Sequence, residues 1–160
     1  MEDLIHIQKT FEKVDWIKKR INHREFEDCT FKNCDFSNSD FSNNSFMDCE
    51  FIDCNLAMID LTATSMKTVG FKNCTFQDCV LDYSSFANKK MPKTKFISCS
   101  MKEVTFSGSN LTQSTFDNCN LENAIFNDTV LAGVDFTSAY NYKIDPEFNP
   151  MKKTKFSMQA

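Results

Sequence analysis

From Phe26 to Phe136 a Phe, Leu or Met stands at every fifth position, with no residue added or lost between them. The series runs Phe26, Phe31, Phe36, Phe41, Phe46, Phe51, Leu56, Leu61, Met66, Phe71, Phe76, Leu81, Phe86, Met91, Phe96, Met101, Phe106, Leu111, Phe116, Leu121, Phe126, Leu131, Phe136. A helix repeats roughly every 3.6 residues and a strand every two, so neither keeps one apolar face at this period. The chain must turn a corner in every unit. With the apolar residue called i, positions i−2 and i point to the same side of a short extended segment, while i+1 and i+2 change direction. Position i−2 is mostly small or compact: Cys29, Cys34, Ser39, Cys49, Cys54, Cys74, Cys79, Ser84, Cys99, Ser109, Cys119 and Ala124, with all eight cysteines among them. Position i+2 is often Asp or Asn, as at Asp28, Asn33, Asn38, Asn43, Asp48, Asp53, Asn73, Asp78, Asn118, Asn123 and Asp128. These side chains tolerate left-handed turn geometry.

Units such as CTF, CDF, CEF and CNL resemble those of the pentapeptide-repeat proteins, especially the Cys- and Phe-rich Qnr quinolone-resistance proteins, over about residues 14–138. The resemblance implies an all-β chain, a right-handed quadrilateral β-helix in which four units make one square coil of 20 residues. Residues 20 apart then stack. Cys29 lies below Cys49; Cys34, Cys54 and Cys74 form a second column; Cys79, Cys99 and Cys119 form a third; Asn44, Thr64, Ser84, Val104 and Ala124 line the fourth face. About six coils follow, and at roughly 4.8 Å per coil the clear register over residues 24–138 makes a rod about 28 Å long. Each buried aromatic or aliphatic side chain contributes about 1.5–3 kcal/mol, which makes the i residues an ample core.

Three parts are expected: residues 1–13 as an N-terminal cap segment, residues 14–138 as the repeat, and residues 139–160 as a C-terminal loop and capping strand. Open solenoid ends expose core and strand edges and need covering. Phe11, Trp16 and Ile21 remain in phase, yet Leu4, Ile7, Phe11, Val14 and Ile21 also fit an amphipathic helix, so residues 1–23 read as either a degenerate coil from Val14 or a helix. Downstream the register fails at Asn141 and Pro146, YNYKIDPEFNP reads as an irregular loop, and a last strand is expected around Lys153 to Phe156. Too little chain follows for the C-terminal dimerising helix of Qnr-type proteins, so a monomer or weak end-to-end dimer is expected.

The chemistry of a catalytic, metal or cofactor site is not indicated. The C-x4-C spacing is the repeat period itself, adjacent members fall on different faces, and free Cys behaves as a small buried hydrophobe. Catalysis needs a base and a nucleophile converging in a pocket. His6 and His23, the two histidines, both lie near the N-terminal end, and Gly70, Gly108 and Gly133 are isolated rather than gathered in a phosphate loop. No long apolar run is present, and the start lacks a cationic region followed by an apolar core, which points to a cytoplasmic protein with no membrane partner.

Charge is banded. Residues 24–66 hold nine acids and two bases, 67–106 three acids and seven bases, and 107–138 four acids and no base. The chain reads as a non-enzymatic module that binds a protein through its rod surface. The Qnr resemblance further implies a mimic of B-DNA that binds DNA gyrase or topoisomerase IV, with Asp35, Asp40, Asp48, Glu50, Asp53 and Asp60 as its acidic coils. The basic band of Lys89, Lys90, Lys93 and Lys95 runs against that mimicry, as does a net charge of −7 over residues 24–138, when B-DNA carries one charge per roughly 1.7 Å. The unbroken register also lacks the loop insertions by which Qnr-type proteins contact the enzyme. The alternative is a structural spacer with no topoisomerase activity. Lys89 occupies an inward i−2 position beside Pro92: either the backbone bulges to release it, or its stem is buried with the amine at the rim.

Overall fold

The computed structural model describes residues 4–16, 23–39, 44–59 and 70–158. Among the described residues twelve short strands are defined: β1 (Ile5–Ile7), β2 (Thr10–Glu12), β3 (Glu25–Glu27), β4 (Thr30–Lys32), β5 (Ser45–Met47), β6 (Glu50–Ile52), β7 (Gly70–Lys72), β8 (Thr75–Gln77), β9 (Lys95–Ile97), β10 (Thr115–Asp117), β11 (Asp135–Phe136) and β12 (Lys155–Phe156). They stack as one four-stranded sheet, β1-β3-β5-β7, and one eight-stranded sheet, β12-β11-β10-β9-β8-β6-β4-β2, all parallel. Two further ladders of single bridges complete four faces, one through Asp15, Asp35, Asn55 and Val80 and another through Ser85, Thr105 and Ile125. The fold is a parallel β-solenoid of about seven turns, without helix among the described residues. The faces are numbered one to four from the four-stranded sheet onward along the chain, and each level of the stack is a rung.

The corners explain the spacing. At every described i+2 position from His23 to Gly133 the backbone is left-handed, with φ of 51–62° at non-glycine residues. Asn, Asp and Gly enter this region at least cost, and a β-branched residue there is strained. Asn33 (φ 51°) is such a corner. Asn33→Val is expected to lower stability by about 1–2 kcal/mol, while Asn33→Gly stays near wild type, both measured by urea denaturation.

The coil is not uniformly 20 residues long. Glu25 pairs with Ser45, and Thr30 with Glu50, but Ser45 pairs with Gly70, and Glu50 with Thr75. Asn55 likewise bridges Val80, after which the interval of 20 resumes at Ser100. Five supernumerary residues therefore enter between Ile59 and Gly70, in the stretch 60–69 that lies outside the described residues. This corrects two expectations: the register is unbroken in units of five yet broken in units of four, and an insertion does exist. It also re-sorts the cysteines. Cys29, Cys49 and Cys74 stack on face two, and Cys34, Cys54, Cys79, Cys99 and Cys119 form one five-membered column on face three. Thr64, expected on the fourth face, falls outside the described residues; Asn44 belongs to a different column from Ser84, Val104 and Ala124.

The interior is built of stacked rings. Face two carries Phe11, Phe31, Phe51, Phe76, Phe96, Phe116, Phe136 and Phe156 in one pile, with centroids 4.8–5.6 Å apart and planes within 12°. Face one stacks His6, Phe26, Phe46 and Phe71, and face four Phe86, Phe106 and Phe126. Trp16 lies over Phe36 on face three. Phe41 falls outside the described residues.

One inward column is rich in polar residues: of the i−2 positions of face one, Arg24, Asn44, Lys89, Ser109, Thr129 and Asn149 are buried, Leu4 on the first rung is exposed, and Val69 lies outside the described residues. Its members bind main chain. The Arg24 amide donates to Asn44 Oδ1 at 3.1 Å, the Thr129 amide to Asn149 Oδ1 at 3.0 Å, and Asn149 Nδ2 to the Phe126 carbonyl at 3.0 Å. Lys89 is 3% exposed, and its carbonyl accepts the Asn110 amide in register. The backbone does not bulge there; the long side chain is taken inside, with Ser109 on the next rung of its column.

The ladder reaches further at both ends than the repeat pattern alone indicates. β1 and β2 pair with β3 and β4, so the first rung begins at Ile5 rather than Val14, and the described residues 4–13 of the expected cap belong to the coil. The helical alternative fails for the described residues 4–16, which contain strands and no helix. At the far end β12 pairs with β11 through Lys155 and Phe156, after an irregular connection from Asn141.

Candidate interaction surface

With i and i−2 turned inward, only i−1, i+1 and i+2 face out, and charge is sorted onto these three positions of each face. Among the acids expected to form the acidic coils, Asp48 and Glu50 come together with Glu27, Asp28, Asn73, Thr75 and Lys95 along an open groove of about 410 Å³ at the corner of faces one and two. Asn73 Nδ2 donates to Asp48 Oδ1 at 2.8 Å. Asp53 stands at the next corner, below Asp78. Asp35 is on face three, where it accepts the Ser37 amide and hydroxyl at 2.9 and 2.7 Å. Asp40 and Asp60 lie outside the described residues.

The expected basic band is divided. Lys90 and Lys93 are exposed on face one, Lys95 is exposed on face two within the acidic groove, and Lys89 is inside. Glu25 and Glu27 were not singled out from the sequence, although with Asp28 and Lys72 they are exposed outward residues of face one. Their signal lay in position within the unit and in the 20- or 25-residue interval, not in local composition. On face three Lys102 Nζ approaches Glu122 Oε2 at 4.0 Å, an exposed pair. On face two Thr137, through its hydroxyl and amide, holds the Asp135 carboxyl below its ordinary range.

The interior thiols are enclosed by the coil. All eight cysteines are free and buried. Each thiol sits near two carbonyls, one two residues back and one on the coil below, as Cys99 Sγ does with Ile97 O (3.4 Å) and Phe76 O (3.2 Å). Burial pushes the Cys29 and Cys74 thiols up from their ordinary value, away from the reactive thiolate. Among the described residues no group of three or more His, Cys, Asp or Glu is placed to hold a metal ion. His6 is a core residue stacked 4.9 Å from Phe26 with Lys9 Nζ 3.0 Å from its Nδ1, and His23 is an exposed corner, so the two histidines have different surroundings. Among the described residues no helix is long and apolar enough to cross a membrane.

Comparison with known proteins accords with this geometry. The profile of the Pentapeptide repeat region family matches residues 24–79 and 69–141. A solved structure of trypsin-treated QnrB1, described as a plasmid-mediated fluoroquinolone resistance protein, is similar at a TM-score of 0.68 and 17% identity, covering 96% of this chain and 84% of that one. HetL, a pentapeptide repeat protein involved in heterocyst differentiation regulation from the cyanobacterium Nostoc sp., aligns at 8% identity and a TM-score of 0.49, over 98% of this chain and 89% of its own. No curated protein sequence matches the chain.

Proposed function

The chain belongs to the pentapeptide-repeat family, and from that premise we propose that it acts without catalysis, as a rigid rod whose outer faces dock a protein partner. The observation that carries this reading is the division between inside and outside: the interior is filled by stacked rings and thiols, and the outward positions hold nearly all the charge. For the partner we propose the DNA-binding surface of a type II topoisomerase, DNA gyrase or topoisomerase IV. Two features support it. Exposed acids stack along the rod axis, Asp28 below Asp48 and Asp53 below Asp78, as a row of phosphates would. The insertion between Ile59 and Gly70 also removes the objection that the rod is a featureless repeat. Eight buried free thiols suit a reducing compartment, and we place the protein in the cytoplasm.

A DNA gyrase supercoiling assay, run with and without a quinolone, tests the partner. At micromolar protein we expect either inhibition of supercoiling or relief of quinolone inhibition. No change in both arms would eliminate the topoisomerase reading and leave a structural spacer, since Lys72, Lys90, Lys93 and Lys95 already interrupt the acid rows.

A further inference from the structure

Face one is charged in a pattern that complements itself. Its outward residues on the second and third rungs are Glu25, Glu27, Asp28, Ser45, Met47 and Asp48, with four acids and no base; all four acids are exposed. The fourth and fifth rungs present Gly70, Lys72, Asn73, Lys90, Pro92 and Lys93, with three exposed bases and no acid. The sixth and seventh rungs carry no charge: Asn110, Thr112, Gln113, Val130, Ala132 and Gly133. None of these seven charges is ion-paired among the described residues.

We propose that face one docks a second copy of this chain, antiparallel, about a two-fold axis running along the strands between the third and fourth rungs. That axis inverts the order of rungs but keeps position along each strand, so i−1 meets i−1 and i+2 meets i+2. Glu25 then faces Lys90 of the other copy and Asp28 faces Lys93, and the symmetry repeats both pairs. Ser45 lies opposite Gly70, and the half-exposed Met47 opposite Lys72, whose alkyl stem covers it. An isologous contact of this kind requires one surface to carry both halves of each pair, which is what face one does. An axis displaced by half a rung, which shifts the register by one, keeps fewer of the pairs: it sets Asp28 against Asn73 or Gln113. The strip is narrow, six rungs making it roughly 29 Å long, so the dimer is weak and salt-sensitive. It is independent of the heterologous partner proposed above, because it is read by mass and not by supercoiling.

Sedimentation velocity of the full chain tests it. At roughly 100 µM in low salt a dimer is expected, returning to monomer when salt shrinks the screening length to about 3–4 Å. Glu25→Lys with Asp28→Lys, and separately Lys90→Glu with Lys93→Glu, each place like charges across the two-fold and should weaken association at least about tenfold. Both variants alter outward side chains only, and circular dichroism verifies their folding. Mixing them restores every opposite-charge pair and should recover a dimer of one chain of each. A wild type that stays monomeric in low salt, swaps that associate like wild type, or a mixture that remains monomeric would each overturn the proposal.

Discussion

Phe51→Ala is expected to lower the stability of the folded chain by about 3–5 kcal/mol. The ring is fully buried at the middle of the face-two pile, 4.8 Å from Phe31 below and 4.8 Å from Phe76 above, and its edges meet Phe36, Phe46 and Phe71. Removing it forfeits the transfer free energy of an aromatic side chain and leaves a hole that the neighbours cannot close, because β4, β6 and β8 are held at rung spacing by their own ladder. Phe51→Leu keeps most of the volume and loses the stacking, so about 1–2 kcal/mol is expected. Phe156→Ala is the contrasting case. That ring is 37% exposed and has a stacking partner on one side, Phe136, and its removal should cost under about 1.5 kcal/mol. Urea denaturation of the three variants gives the comparison, and equal losses at Phe51 and Phe156 would mean that the pile does not govern stability.

That pile shows how much of the structure was legible beforehand and where legibility stopped. Period five fixes which side chains point inward, because two-residue alternation within a unit and a corner after it leave no other choice; hence the burial of Phe51, Cys99 and the rest follows from local geometry. Which residue lies over which is a different matter, since it depends on the length of the whole coil. An insertion of five residues preserves the phase and is invisible to a five-residue pattern. Two traces of it were nevertheless present. Thr68 is the only β-branched residue at i+2 between Phe26 and Phe136, and a β-branched side chain resists the left-handed corner that every described unit there adopts up to Gly133. The uniform interval also scattered eight cysteines over three columns, where the true one gathers them into two.

The same slip hid the environment of Lys89. Counted uniformly from Arg24 and Asn44, the column continues through Thr64 and Ser84 to Val104 and Ala124, and Lys89 stands as an anomaly among small residues. With the 25-residue coil, Arg24 and Asn44 lead instead through Val69, which lies outside the described residues, to Lys89, Ser109, Thr129 and Asn149; all the described members are buried and several are tied to main-chain groups. A buried Lys needs polar company, and the corrected register puts Ser109 and Thr129 on the rungs that follow Lys89 in the same column. For the outer surface the effect is just as direct: the alignment of Glu25 with Ser45 and Gly70, which creates the two charge bands of face one, exists only with the longer coil.

Deleting residues 60–64 should therefore leave the fold intact, with stability within about 1 kcal/mol of wild type, because halving the length of that connection relieves only roughly 0.6 kcal/mol of closure entropy. The shortened chain still brings Gly70 to Ser45 and Thr75 to Glu50. Deleting residues 110–114, a unit of the same length inside a 20-residue coil, is expected to cost at least about 3 kcal/mol. Every later unit would slide by one face: Phe116 would leave Phe96, now 5.0 Å away, for Met91, and Phe126 would leave Phe106, now 5.4 Å away, for Met101. Cys119 would move from above Cys99 to above Thr94, and the Thr129 amide, on the face-one column, would lose its alignment with the Ser109 rung. A chain with an unbroken 20-residue coil predicts comparable damage from the two deletions, since each would then displace all downstream faces by the same quarter turn. Denaturation midpoints of the pair decide between the registers: a large loss on removing residues 60–64 would overturn the 25-residue coil and with it the assignment of both charge bands to one face.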